Sequence, residues 1–370
     1  MAPPLPGEVA PLRSAADDPN REASTKERRE ATNRRCLGGL RNPWRAGRMC
    51  PRIRTVGRQI RRIIERFIDR HGEVVLKLYD SLGQEEATGT DEELLEELRA
   101  EIAAFLGVSD WGPVDIPETG MRSKLIPELI GPYVRMTNDP DTHLADWLVS
   151  GAPLGLNQPI PTAGIFPAVE VPDPEDDFEN VVSQIDAESF RNYKSFDDDP
   201  AATKKEIDRM HAEGYLRFFD SVEELTEYVG GPPLLNKIAF LVKTRRDGKV
   251  KVRVITDLLR SRGNEFLKAP ERIVLPRLVD ALEMAIYVLE GLESDLIAGL
   301  ASKDEECEWG TTDIKDAFLN MPVAPPERRA QCYKIWESFA TSDSLVFGAG
   351  PSPLIWGRMG ACAGRAASSP

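Results

Sequence analysis

The sequence lacks an N-terminal apolar core of the kind that opens a secretory signal. Its longest stretch without charge, Trp147 to Val169, is interrupted by Pro153, Pro159, Pro161 and Pro167 and by Gly151, Gly155 and Gly164. Those residues break a helix repeatedly, so a membrane span is excluded as the reading of that stretch. Cysteine is scarce, with five residues (36, 50, 307, 332 and 362), odd in number and scattered. Cys36 and Cys50 have neither a nearby histidine nor a Cys-x-x-Cys partner, which argues against zinc and against a disulfide framework. Reduced thiols in an intracellular protein, cytoplasmic or nuclear, are the expectation. Collagen-like, coiled-coil and wholly disordered compositions are also excluded.

What is present is a chain of 370 residues with ordinary hydrophobic content, enough for two or three folded units at about 150 residues each. Gly and Pro together supply 57 residues, so part of the chain is expected in loops. The net charge of −14 hides an asymmetry. Residues 1–70 carry 17 Lys and Arg against 8 Asp and Glu; the remaining 300 residues carry 30 against 53. A basic arm on an acidic body has two readings: contact with an anion such as nucleic acid, or a solvated leader.

Residues 1–56 show no sustained periodicity and read as a disordered basic arm. Residues 57–175 read as a helical and Pro-rich irregular region of unknown role. From Gln59, the positions Ile60, Ile63, Ile64, Phe67 and Ile68 recur at helical spacing. After a linker at Gly83 to Gly89, Thr90 and Glu93 form a capping-box signature. Leu94, Leu98, Ile102 and Phe105 share the helix side that follows, and Gly107 ends it. From Trp111 to Pro174 the periodicity is poor.

Residues 176–231 read as an acidic linker with helices. Asp173, Glu175, Asp176, Asp177 and Glu179 lack the spacing and central glycine of an EF-hand, so a solvated linker is expected rather than a calcium loop. Helices are expected at Pro200 to His211, and at Ser221 to Val229 behind a Ser221/Glu224 capping box.

From Lys237 the period changes. Ile238, Phe240 and Val242 alternate, Asp247-Gly248 turns the chain, and Val250, Val252 and Val254 alternate again. This is a hairpin signature whose edges carry Lys243, Arg245, Arg246, Lys249, Lys251 and Arg253. Pro276 then opens a helix with Leu278, Leu282, Ile286 and Leu289 on one side. A strand is expected from Glu308 to Ile314, entering the segment Asp313-Ile314-Lys315-Asp316-Ala317-Phe318. Another is expected from Gln331 to Trp336. Phe347-Gly348-Ala349-Gly350-Pro351-Ser352-Pro353 reads as a tight loop before a helix running to about Ala366.

A basic hairpin, a Leu-Pro-Arg-Leu helix start, an Asp-x-x-x-Ala-Phe strand and a Phe-Gly-x-x-x-Ser-Pro loop thus follow one another. In that order the series resembles the fingers and first half of the palm of a reverse transcriptase (RNA-directed DNA polymerase) of retroelement type. The resemblance covers about residues 232–365. It implies an α+β fold, a partial right-hand polymerase over residues 232–370, preceded by the helical region and the basic arm.

The resemblance also implies roles. Asp313 matches the catalytic, metal-binding aspartate of the first palm motif, and Ile314 the residue whose carbonyl faces the metal. Two divalent ions, Mg²⁺ or Mn²⁺, about 4 Å apart serve such phosphoryl transfer. Asp316 and Ala317 match the loop beside the triphosphate, and Phe318 the aromatic gate whose ring occupies the space of a ribose 2′-OH. Lys251 and Arg253 match triphosphate contacts. Arg245 or Arg246 matches a further cation on the nucleic-acid side, the register left open by a turn one residue longer than in retroviral relatives. Phe347 and Gly348 match the second palm motif; retroviral enzymes carry Gln at the first of these, and many retrotransposon enzymes carry Phe-Gly. Pro353 falls on the nucleic-acid side.

The implied partners are an RNA template, a DNA primer and a deoxynucleoside triphosphate, with no membrane and no disulfide partner. The family's Tyr/Phe-x-Asp-Asp hairpin has no counterpart, because no Asp-Asp pair follows Asp313. The expectation is the amino-terminal portion of a retroelement polyprotein, inactive alone, whose Asp313 strand lacks its pairing partner. The competing expectation is a non-catalytic nucleic-acid-binding protein that uses the basic arm and the hairpin.

Overall fold

A computed structural model describes residues 43–44, 52–81, 92–109, 123–244, 248, 250–299 and 314–367. The first helix, α1 (Ile53–Ser81), begins before the expected start at Gln59, because Ile53 and Val56 extend the apolar side of Ile63 and Phe67 and are buried with them. It kinks at His71, whose backbone leaves helical geometry. Next comes α2 (Glu92–Phe105), closed by Gly107 at φ +75°. Thr90 lies outside the described residues. The Pro-rich stretch is more ordered than its periodicity suggests. It contains α3 (Pro127–Thr137), with proline at its first turn, and α4 (Leu144–Ser150).

Four more elements lead to the hairpin: α5 (Phe178–Ser183), α6 (Pro200–Ala212), β1 (Leu216–Phe219) and α7 (Val222–Val229). The capping of α7 differs in one bond from the expected box. Ser221 Oγ accepts from Glu224 N, but the Glu224 carboxylate accepts from Asp220 N rather than from Ser221 N. Strand β1 has no alternating signature in the sequence; its pairing with a strand more than a hundred residues later creates it.

The hairpin pairs β2 (Lys237–Thr244) antiparallel to β3 (Val250–Asp257), in the register Lys237↔Asp257 through Thr244↔Val250. A short α8 (Gly263–Phe266) and the long α9 (Leu278–Ile297) follow. Strands β4 (Cys332–Ile335) and β5 (Ser338–Ser342) form a second hairpin, and β1 adds to it in the order β1-β5-β4. The described chain closes with α10 (Ser352–Ala367). The class is α+β, with two small antiparallel sheets among helices.

The core sits where the Pro-rich stretch meets α10 and the segment after Phe318. Leu144, Trp147, Leu148, Leu154 and Ile160 pack with Leu258, Met321, Val323, Leu345, Ile355 and Met359. Gly151 permits this junction. Its φ is +88°, and a Cβ there would lie 2.4 Å from Ala324 N. The backbones therefore bridge directly, Ala152 N donating to Pro322 O (2.7 Å) and Ala324 N to Ala152 O (3.0 Å). A second core joins Phe196, Ile207, Met210 and Tyr215 to Ile238 and Phe240 of β2 and to Tyr333 and Ile335 of β4.

Buried charges staple these layers. Asp139 and Asp141 follow α3, where Asn138 takes the left-handed conformation. Each binds an arginine of α10 through two hydrogen bonds: Arg365 to Asp139 at 2.8 and 2.7 Å, Arg358 to Asp141 at 2.7 and 2.6 Å. All four side chains are fully buried, and Arg358 stacks 4.3 Å over Trp147. The buried Glu327 carboxylate accepts backbone N–H bonds from Leu154, Leu156, Asn157 and Gln158 at 2.8–3.2 Å. A loop without secondary structure thereby gets its backbone donors satisfied.

Candidate functional site

The hairpin sorts its side chains by strand period. Val252 and Val254 pack toward the second core with Phe240, while Arg253 and, across the ladder, Leu241 and Lys243 are exposed. In the ladder, Lys251 pairs with Lys243. Arg245 and Arg246 lie outside the described residues, as does the side chain of Lys251. At the base of the hairpin, Asp257 accepts from Tyr193 Oη and from Arg260 N (2.9 Å). Burial works against its charge, but these bonds outweigh it and hold the carboxyl below its usual range.

The Phe347-Gly348 loop is docked on that base. Thr256 N donates to Phe347 O at 3.1 Å. Gly348 has φ +115°, and a Cβ there would stand 1.9 Å from Thr256 O, so only glycine fits. Asn264 of α8 clamps the loop from the other side. Its Nδ2 donates to Gly348 O (2.9 Å), and its Oδ1 accepts from Gly350 N (2.8 Å). The Phe347 ring is half exposed and meets the Phe318 ring, centroids 4.8 Å apart and 40° between planes. Two of the residues that the resemblance implicates in nucleotide contact thus form one aromatic pair at the foot of the basic hairpin.

Phe318 is held by its own turn. Asn320 Nδ2 donates to Lys315 O (3.0 Å) and Asp316 O (3.1 Å), and Ser123 Oγ donates to Asn320 O (2.7 Å). Asp316, at φ +54°, is bound to α6. Its Oδ2 accepts from Arg209 Nη1 of α6 at 3.0 Å. Arg209 is pushed well above its ordinary range, first by hydrogen bonding to Glu206, against desolvation, with Asp316 adding to the effect. Ala317 is half-buried, Ile314 is exposed in irregular backbone, and Pro353 is exposed in the first turn of α10.

Asp313, with the strand expected from Glu308, lies outside the described residues. Among the described residues, no three His, Cys, Asp or Glu side chains come together in a way that could hold a metal. Asp316, the carboxylate nearest Asp313 in sequence, is engaged by Arg209. Sequence reasoning missed Asn264, Arg209 and Tyr193, which position the loop, Asp316 and the hairpin base. Each acts on a residue 64 to 107 positions away, and no local pattern marks it.

Comparison of the chain with family models, with curated proteins and with solved structures finds no match.

Proposed function

We propose that the chain carries the fingers and the first part of the palm of a retroelement-type reverse transcriptase. The parent reaction is template-directed addition of deoxynucleotides to a primer 3′ end by two-metal phosphoryl transfer. One observation supports this above the others: Phe318 and the Phe347-Gly348 pair, about thirty residues apart in sequence, converge on the base of a hairpin whose Lys243 and Arg253 are exposed. In this reading the aromatic pair flanks the nucleotide sugar, and Lys251 and Arg253 meet the triphosphate. Asp313 supplies one metal-binding carboxylate, and no Asp-Asp pair follows it. In this reading residues 1–370 contain one of the two metal-binding carboxylate sets of the palm. A second reading, nucleic-acid binding without chemistry, is favoured by the exposed Lys243 and Arg253.

Primer extension on an RNA template with deoxynucleotides and Mg²⁺ separates the two. The purified chain gives no extension. Adding a polypeptide that supplies a Tyr/Phe-x-Asp-Asp hairpin restores extension, and Asp313→Asn abolishes it. Restored extension that survives Asp313→Asn overturns the assignment. Retained nucleic-acid binding with no restored extension leaves only the binding reading.

A further inference from the structure

The α1 helix holds a cluster of cations that the polymerase reading does not use. From Ile53 to Arg70 it contains six arginines (54, 58, 61, 62, 66 and 70) and no lysine. At about 100° per residue, Arg54, Arg58, Arg61 and Arg62 fall within an arc of about 100°. The buried residues Ile53, Val56, Ile63 and Phe67 occupy the arc on the other side. Burial of the apolar side therefore fixes the arginine side toward solvent. Those four arginines and Glu65 line a surface groove of about 530 Å³.

Their charges are mostly uncompensated. Arg61 pairs with Glu65 at 2.7 Å, and Arg70 with Glu97 and Glu101 of α2. Among the described residues, Arg54, Arg62 and Arg66 have no carboxylate within 4 Å, and Arg58 donates to Arg54 O at 3.3 Å. Like charges one turn apart on a helix repel, which costs stability unless something anionic lies over them. The use of arginine alone is informative. Lysine gives solubility equally well, whereas the planar guanidinium fork is suited to two-pronged contact with phosphate oxygens. Arg54 and Arg62 are separated by about 12 Å along the axis, with Arg58 midway. That row can follow several successive phosphates of one strand.

We infer that the arginine face of α1 is a binding site for the sugar–phosphate backbone of a nucleic acid, separate from the Phe318–Phe347 site. An anionic membrane is the less fitting partner, because a helix lying in a bilayer interface turns its apolar side outward and α1 turns its own inward. The inference does not rest on the polymerase reading, since backbone contact needs neither Asp313 nor a metal.

The test uses the full chain and a fluorescent single strand of about 20 nucleotides, without Mg²⁺ or nucleotide, between about 50 and 200 mM salt. The triple variant R54E/R58E/R62E loses three phosphate contacts. The slope of log K against log salt then becomes shallower by about 2, and affinity falls roughly tenfold or more. R54Q/R58Q/R62Q, which keeps good helix formers, shows the same direction with an unchanged far-ultraviolet dichroism spectrum. The binding reaction contains neither Mg²⁺ nor nucleotide and reads no chemistry, so failure here is distinct from failure of the polymerase reading. A salt slope identical in wild type and both variants overturns the inference. So does a result in which the arginines matter for phosphatidylserine-containing vesicles and not for the nucleic acid.

Discussion

The junction of α3, α4 and α10 and the helix α9 are opposites in how sequence character relates to burial. At the junction, Asp139, Asp141, Arg358 and Arg365 are charged and fully buried. On α9, Leu278, Leu282, Ile286 and Leu289 are apolar and exposed, between 52 % and 77 %. The difference lies in the partners, not in the residues. A buried guanidinium is tolerated where a carboxylate takes two of its hydrogen bonds and an aromatic face covers it, as Asp141 and Trp147 do for Arg358. An apolar helix side is buried only where another element offers a surface to it, and among the described residues α9 meets none that covers that side. Amphipathic spacing therefore reports that a helix forms and which side is apolar, not that the side is enclosed.

Removal of one staple gives the largest effect expected from this comparison. Asp139→Ala leaves Arg365 charged and buried, and costs about 3–5 kcal/mol in chaotrope unfolding. Arg365→Met in the same chain recovers part of that loss, because the uncompensated charge is then gone. If Asp139→Ala is silent, the pair is open to water and the contrast with α9 disappears.

A smaller effect sharpens the comparison at the candidate site. Gly348→Ala forces a Cβ against Thr256 O and costs about 1–3 kcal/mol. It also lifts the loop from the hairpin base, which amide hydrogen exchange at Thr256 N reports as lost protection. The smallest effect belongs to α9. Leu282→Gln changes stability by no more than about 0.5 kcal/mol, whereas Leu154→Ala in the core costs about 2–5 kcal/mol. A Leu282→Gln cost equal to that of Leu154→Ala means that α9 is covered in solution.

Much of the element order was legible from local signals. The hairpin was announced by two alternating runs around Asp247-Gly248, and α7 by Ser221, Glu224 and Gly230. The helix after Ser352 and the strand at Cys332 followed from the same kind of pattern. What escaped were elements whose cause is distant. Helices α3 and α4 sit in a stretch with poor periodicity, because Trp147, Leu148 and Val134 face a core built from residues near 260, 320 and 355. Strand β1 is a strand because β5 pairs with it.

At the candidate site, Phe318, Phe347 and Gly348 could be named from motif spacing. Their meeting could not, and neither could the clamp by Asn264 nor the capture of Asp316 by Arg209. Asp316 shows the limit well. A carboxylate beside a motif is available for chemistry only if no cation claims it, and that cation comes from a helix more than a hundred residues earlier.

The sequence by itself determined where the locally patterned helices and the basic hairpin form, where their turns fall, and which residues carry the resemblance to a polymerase. Those properties depend on backbone propensity, capping and period, which act within a few residues. It also placed positive charge at one end of the chain and aimed the arginines of α1 away from its apolar side. The tertiary structure alone decided which apolar sides are enclosed, which charges are neutralised, and which motif residues share a site. Burial, ion pairing and ring contact depend on groups brought together across long chain separations, and their free energies exist only once the partners have met.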